Sequence, residues 1–374
     1  MLILLYQIVQ ELFNLKILFT HLLNNYTGAP KVLETELKLL LQNKDYDISL
    51  LTSKTDGCLS HLDNIRYYDN GYRWSNNRFL LAILLALSEI RMFFFVLFHR
   101  FDVLYVNTVL PFGAAIAAKF KRKKIIYHVH EIYINPGILK RFYYKIMNKC
   151  ADKIICVSQY VLENLTYGKE RACVIYNPIE SNQVPDDIDE YLHKKYDNKI
   201  IFMPTSLKEY KGINQFVELA RIMSDYNFRL LCSVPLEEIE SYFSNQELPK
   251  NLTLIGKQPK LLNFYREAVV SMNLSLQDKF IETFGLTLAE SFDALTPAVA
   301  PNFGGPKEII SNGISGFLIN PYNLEEVKNA ILKILIDFET YKNFSFEAKK
   351  SIEKFSPQSI YDKINALLTE SFCS

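Results

Sequence analysis

Two glutamates eight positions apart, Glu282 and Glu290, have the residue type and spacing to do chemistry. They frame the stretch Lys279-Phe280-Ile281-Glu282-Thr283-Phe284-Gly285-Leu286-Thr287-Leu288-Ala289-Glu290. Glu282 falls in a loop, and Thr283 is the expected N-cap of a following helix. The amides of Phe284, Gly285 and Leu286 would then lack acceptors one turn back and stand free as donors. Such a helix start, with a glycine in its first turn, is an anion site suited to a diphosphate. Glu290 lies about one and a half turns further on. Its neighbours four residues away are Leu286 and Ala294, and those three away are Thr287 and Asp293. That places it at the edge of the apolar stripe, where a carboxylate can accept hydrogen bonds from hydroxyls. Taken alone, it also fits an ordinary surface glutamate.

A histidine supplies the next candidate. His130 closes the run KIIYHVH and is expected at the carboxyl end of a strand, where open α/β sheets hold their ligands. The plainer alternative is a hydrogen-bonded core histidine. His128 is read as pointing to the other face of the strand and serving structure. His21, just after the first strand, would line the acceptor side.

The elements that must position these residues alternate between short β-rich runs and helical ones. The first half reads KILFT (16–20), DISLLT (47–52), DVLYVN (102–107), KIIYHV (124–129), KIICVS (153–158) and ACVIYN (172–177). Helical stretches separate them, as over Pro30–Gln42 and Phe112–Phe120. Residues 181–198 are polar and acidic, contain Pro185 and read as a linker. The alternation restarts with KIIFMP (199–204), then FRLLCSV (228–234), LTLIG (252–256) and VVSMNLS (269–275). Alternation of this kind predicts parallel sheets covered on both faces, with near-continuous apolar strands. The expected divisions are 1–180, the linker 181–198, a second domain over 199–352, and a C-terminal helix in 353–374 packing back toward the first.

Composition excludes several classes. A chain of 374 residues with 49% hydrophobic and 22% charged residues can build two cores and is not globally disordered. Its formal net charge of +1 argues against a nucleic-acid partner. The six cysteines form no CxxC pair and read as reduced, buried thiols of a cytosolic protein, with no metal site. Residues 1–15 are apolar but lack a basic start and a cleavage site, so they read as an extra helix or a start-codon artefact. Residues 79–98 are nearly long enough to cross a bilayer. Glu89 and Arg91 near the middle would each cost roughly 2.5–3.5 kcal/mol, so a buried or membrane-grazing helix is expected instead.

Taken in order, the motifs resemble the retaining glycosyltransferases of family 4, the group 1 glycosyl transferases. Glu282 and Glu290 with Phe284-Gly285 between them look like that family's Glu-x7-Glu motif. Gly304-Gly305-Pro306-Lys307-Glu308 and Asn312-Gly313 with Gly316 are similar to its Gly-Gly-x-x-Glu and Asn-Gly-x-x-Gly segments. Thr27-Gly28-Ala29, Asn107-Thr108, His128-Val129-His130-Glu131, Asn177-Pro178 and Lys211-Gly212 match in the right order, and the resemblance covers about residues 16–340. It implies the GT-B fold, two Rossmann-like α/β domains whose parallel sheets face across a cleft. Glu282 would contact donor-sugar hydroxyls, Glu290 the nucleotide ribose, and Lys211 the diphosphate. Gly28 would let the backbone approach the phosphates, and His130 would sit near the reacting carbon. The segment Phe284, Gly285, Leu286 and Thr287 would line the donor site. Family members usually carry an arginine four or five residues before the lysine. Here Ser206 and Lys208 stand near that place and would hold phosphate instead.

The resemblance implies a hexosyltransferase that moves a sugar from a UDP- or GDP-sugar to a glycan or lipid-linked acceptor. Synthesis of a bacterial surface polysaccharide, O-antigen or capsule, is the expected setting. No metal or cofactor is required, because the helix dipole and Lys211 would stabilise the leaving diphosphate. The basic run Lys119–Lys124, the aromatic stretch Tyr67–Trp74 and residues 79–98 share the first domain. Together they predict peripheral contact with the cytoplasmic face of the plasma membrane. Two rivals remain: a same-fold sugar-nucleotide epimerase, which needs no acceptor surface, and a non-catalytic nucleotide-sugar-binding partner subunit, to which the absent arginine points.

Overall fold

A computed structural model of the chain describes residues 14–132 and 137–370; the apolar stretch 1–13 and Cys373 lie outside them. The chain divides into two compact units. Unit 1 holds the chain up to Pro178 together with its end from Pro357, and unit 2 is Ile179–Ser356.

Unit 1 runs β1 (Leu15–Thr20), α1 (Gly28–Leu40), β2 (Tyr46–Thr52), β3 (Arg66–Asp69), α2 (Arg78–Phe98), β4 (Val103–Asn107), α3 (Phe112–Phe120), β5 (Lys124–Val129), α4 (Gly137–Cys150), β6 (Lys153–Cys156), α5 (Gln159–Glu163) and β7 (Ala172–Val174). The strands form a sheet in the order β3-β2-β1-β4-β5-β6-β7, with every pair parallel. The order reverses between β1 and β4, which makes their carboxyl ends the place where such a sheet holds a ligand. Leu18, Phe19, Leu50, Val103 to Val106 and Ile125 to Tyr127 are all fully buried, as strands covered on both faces require.

Unit 2 runs α6 (Ile188–Asn198), β8 (Ile200–Thr205), α7 (Ile213–Ile222), β9 (Asn227–Cys232), α8 (Leu236–Tyr242), β10 (Leu252–Ile255), α9 (Leu262–Glu267), β11 (Val270–Met272), α10 (Leu286–Asp293), β12 (Ala298–Pro301), α11 (Pro306–Ile309), β13 (Gly316–Ile319), α12 (Leu324–Ile334) and α13 (Phe338–Ser351). Its parallel sheet is ordered β10-β9-β8-β11-β12-β13, with the reversal between β8 and β11. A final helix, α14 (Pro357–Thr369), returns to unit 1, where Ile360, Ile364 and Leu368 join the core formed by Leu33, Leu37 and Leu40 of α1.

Several expectations are corrected. Residues 181–198 are not a linker, because α6 packs Leu192 into the core of unit 2. Its Lys195 is 1% exposed and donates to the carbonyls of Ala294 (2.8 Å) and Leu295 (3.1 Å) and to Thr296 Oγ1 (2.6 Å). Burial holds that ammonium well below the usual lysine range. It caps the carboxyl end of α10, where unpaired carbonyls favour a cation. Strands β3, β12 and β13 were not read from sequence. Each has only four residues, and β12 ends on a proline.

The helix over 79–98 forms as α2, with an unusual distribution of faces. Ser88, Glu89, Met92 and Val96 are buried, while Phe79, Ile83, Leu87, Ile90, Phe94 and Phe98 form an exposed apolar line. The basic run beside it is mostly engaged within unit 1. Lys121 donates to the carbonyls of Val96 (3.1 Å) and His99, and its ammonium lies 4.7 Å from the Phe101 ring centre. Lys123 pairs with Asp102 at 3.3 Å, Lys119 with Asp152 at 3.7 Å, and Lys124 donates to the Leu367 carbonyl.

Candidate active site

In unit 2 the candidate residues share the carboxyl edge of the sheet. After β8 the chain makes a short turn over Glu209–Lys211, then passes through Gly212 at φ 77° into α7. A Cβ on Gly212 would lie 2.1 Å from the Leu274 carbonyl oxygen, so only glycine lets this turn press against the exit of β11. The turn sets Lys211 Nζ 3.0 Å from Glu282 Oε2 and 3.6 Å from the centre of the Phe280 ring. Tyr210 also stacks on that ring, with centroids 5.4 Å apart. Both members of the ion pair are partly exposed, 16% and 23%, so an incoming ligand can reach them.

Glu282 is held from behind. Gly305 donates its amide to the Glu282 carbonyl at 2.8 Å, and a Cβ on Gly305 would sit 2.4 Å from Phe284 Cα. The Gly304-Gly305 pair is thus a cradle for the loop 282–284. Helix α10 begins later than expected: its N-cap is Gly285 at φ 103°, not Thr283. Gly285 takes this role because the cap adopts the left-handed conformation that glycine alone enters freely. The amides of Gly285, Leu286 and Thr287 have no acceptor among the described residues, so the free donors lie one position beyond the expected set. Phe284 instead sends its side chain inward, 2% exposed and edge-on to Phe355 at 5.2 Å.

Glu290 is half-buried, and the Tyr265 hydroxyl donates to its Oε2 at 3.4 Å. Tyr265 is 1% exposed; burial and the adjacent carboxylate raise its phenol well above the usual range, so it remains a donor. Sequence reasoning missed this tyrosine, which lies on another helix and belongs to no motif. Ser206 and Lys208 follow β8, with the Lys208 amide donating to the Ser206 carbonyl at 2.7 Å and the Lys208 side chain exposed. Among the described residues no group of three or more His, Cys, Asp or Glu side chains is arranged to hold a metal.

Gly28 and His130 belong to unit 1. Gly28 opens α1 with nothing within 4 Å of where a Cβ would stand, so its backbone is accessible. His130 is 9% exposed, and its Nε2 lies 2.8 Å from Asn107 Oδ1. The His128 ring is 4.2 Å from it, not on the opposite face; positions two apart on a strand share a face. His128 Nδ1 in turn meets Tyr105 Oη at 2.9 Å and Glu36 Oε1 at 3.4 Å. His21 is buried, 3.1 Å from Asn107 Nδ2. Beside them, burial raises the Glu131 carboxyl to about 7.

Two parallel α/β sheets, each with its candidate groups at the carboxyl edge, form the architecture of the GT-B glycosyltransferases. The sequence profile for "Glycosyltransferase Family 4" matches residues 32–183, and that for "Glycosyl transferases group 1" matches residues 185–351. The chain therefore belongs to the group 1, family 4 glycosyltransferases. It is 26% identical over 265 residues to an uncharacterised glycosyltransferase of Methanocaldococcus jannaschii, covering 68% of this chain and 71% of the relative. It is 24% identical to the capsular polysaccharide biosynthesis glycosyltransferase CapM of Staphylococcus aureus, over 73% of this chain and 78% of CapM. Among solved structures it is similar to HepE of Anabaena in complex with UDP and glucose, with TM-score 0.77, 20% identity, and 95% and 100% of the two chains covered.

Proposed function

We propose that the protein is a retaining transferase that carries a sugar from a nucleoside-diphosphate donor to a glycan or lipid-linked acceptor in surface polysaccharide assembly. The observation that carries this reading is the Lys211–Glu282 pair, 3.0 Å apart in the unit that presents the free amides of α10. Breaking a glycosyl–phosphate bond builds negative charge on the departing diphosphate. Lys211 and the α10 amides stabilise it as preorganised donors. Once the diphosphate draws the ammonium, the Glu282 carboxylate is released to accept sugar hydroxyls and to face the positive charge growing on the ring. Glu290, braced by Tyr265, accepts from the ribose hydroxyls. His130 hydrogen-bonds a sugar hydroxyl, and Ser206 and Lys208 add to the phosphate contacts. No side chain is needed as a covalent nucleophile. HepE, which binds UDP and glucose, and CapM, which serves capsule synthesis, support the donor class and the setting.

The acceptor side of this reading places the protein peripherally on the cytoplasmic face of the plasma membrane. Its support is the outward apolar line of α2.

Glu282→Gln is expected to lower turnover more than donor affinity, whereas Glu290→Gln weakens nucleotide binding. A donor at 100 times its Kd raises stability by about 2.7 kcal/mol, so melting in a panel of UDP- and GDP-sugars identifies the donor. If both variants transfer sugar like the parent, the site assignment is wrong; a product of inverted anomeric configuration by NMR removes the retaining mechanism. Activity is expected to survive excess EDTA, and strict dependence on added magnesium or manganese would overturn the role given to α10 and Lys211.

A further inference from the structure

The carboxyl edge of the unit 1 sheet carries a buried polar row in which His130 is joined by two residues, Asn107 and His21, that the transfer chemistry above does not use. Asn107, at the end of β4, is fully buried and stands between two histidines at the ends of neighbouring strands. Its Oδ1 is 2.8 Å from His130 Nε2, and its Nδ2 is 3.1 Å from His21 Nδ1. Nδ2 also donates to the Ala29 carbonyl at 3.3 Å. That third contact fixes the amide, because a carbonyl oxygen can only accept, so the atom facing it must be nitrogen. Asn107 Oδ1 therefore faces His130 and must accept a hydrogen bond donated by Nε2–H. The second Nδ2 hydrogen faces His21, whose Nδ1 must be the acceptor.

We infer that Asn107 is a positioning residue that locks His130 in the Nε2–H form and leaves its Nδ1 lone pair to accept a hydrogen bond from a hydroxyl of the sugar. This rests on the role proposed for His130. A neutral imidazole has one donor and one acceptor, and the partner of one nitrogen decides the function of the other. His130 Nδ1 has no partner among the described residues. Both histidines are kept neutral: burial holds His21 at about 4, and burial plus the neighbouring His128 and His21 hold His130 well below the usual range. The other ionisable groups around the row are Glu36 and Tyr105, reached through His128, and Glu131. The lock also explains why an asparagine suits this position. An aspartate could not donate to Ala29 or His21, and a leucine would leave three buried polar partners unsatisfied.

The test is the imidazole nitrogen-15 spectrum of the full-length protein, which separates the two neutral forms, read with transfer kinetics. In the parent, His130 and His21 are both expected as Nε2–H. In Asn107→Ala, His130 becomes a mixture of forms, and kcat falls roughly 10–100-fold, as outer-shell substitutions do, with donor affinity little changed. In Asn107→Asp the acceptor is restored, so His130 regains Nε2–H while His21 switches to Nδ1–H. The new carboxylate raises the His130 pKa, so activity gains an acidic limb that recovers as pH rises and His130 loses its extra proton. A parent His130 found as Nδ1–H overturns the inference without any variant. So does an Asn107→Ala protein whose His130 form is unchanged. If instead His130→Ala transfers sugar normally while the spectra behave as described, the lock stands and the role of His130 in transfer fails.

Discussion

Lys211 divides its ammonium between the Glu282 carboxylate and the face of Phe280, and this dual contact makes it sensitive to substitution. Replacing it with alanine removes the cation and leaves Glu282 without its partner. A charge-assisted hydrogen bond contributes about 1.5–3 kcal/mol, so Lys211→Ala is expected to weaken donor binding roughly 10–100-fold by calorimetry. Lys211→Arg keeps the charge but replaces a compact ammonium with a planar fork, so recovery should be partial. Unchanged donor affinity in the alanine variant would remove Lys211 from the site. The turn that carries it is tested by Gly212→Ala, where both the left-handed φ and the approach to Leu274 are violated. Strain of about 1–3 kcal/mol is expected from the backbone alone, read as a lower denaturation midpoint of unit 2. Much of this site was legible, because Glu282, Gly285 and Glu290 fall in one short segment whose spacing implies a helix start. Tyr265 was not, because it reaches Glu290 through tertiary packing from 25 residues away. The Asn107 lock was legible only as a residue at a strand end; its partners arrive from β1 and β5.

Element boundaries show where pattern reading worked and where it failed. Strands β1, β2, β4, β5, β8 and β9 were legible, since buried parallel strands are continuous apolar runs. Helix α6 was also visible in principle: Ile188, Tyr191, Leu192, Lys195 and Tyr196 recur at helical spacing, but acidic composition and Pro185 suggested a linker. The aliphatic stem of Lys195 counts as part of that stripe, which a polar/apolar code hides. Helix α2 carries a comparable inversion, with Glu89 turned inward. Its Oε2 accepts from the Gly113 amide at 2.7 Å, and burial raises the carboxyl to about 8. The native protein therefore keeps this proton over a range in which the unfolded chain, with a value near 4.5, has lost it. Stability contributed by the protonated group is complete below pH 4.5 and is lost as pH rises toward 8. Glu89→Gln, which cannot ionise, is expected to gain on the parent over that window by a few kcal/mol in chemical denaturation. Parallel pH profiles for the two proteins would mean that Glu89 is already ionised in the fold.

At the scale of the whole molecule, the surface question is which force would hold it at a bilayer. The formal charge of +1 provides little long-range attraction to anionic lipid. The basic run that suggested an electrostatic contact is largely occupied: Lys121 and Lys124 donate to backbone carbonyls, while Lys119 and Lys123 are ion-paired. Arg122, at φ 54° in the turn, has no ion pair among the described residues. The apolar line of α2 is different, because Phe79 is 77% exposed and Phe98 79%. Each large apolar side chain transferred from water contributes about 1.5–3 kcal/mol when fully buried, so a line of six suffices for reversible interfacial binding even at partial depth. The protein is therefore expected to sediment with phospholipid vesicles, with binding that changes little between low and physiological salt. Phe79→Gln, Ile83→Gln and Leu87→Gln combined should release it while leaving thermal stability intact, since these side chains pack against little of unit 1 and glutamine is a good helix former. Arg122→Gln should have no effect on sedimentation. Substituting Lys121 or Lys124 is a poor probe, because it breaks contacts inside unit 1. Binding that collapses with salt and with Arg122→Gln would return the contact to electrostatics. A parent that stays in the supernatant but forms a dimer abolished by the triple substitution would assign the same line to a second copy of the chain.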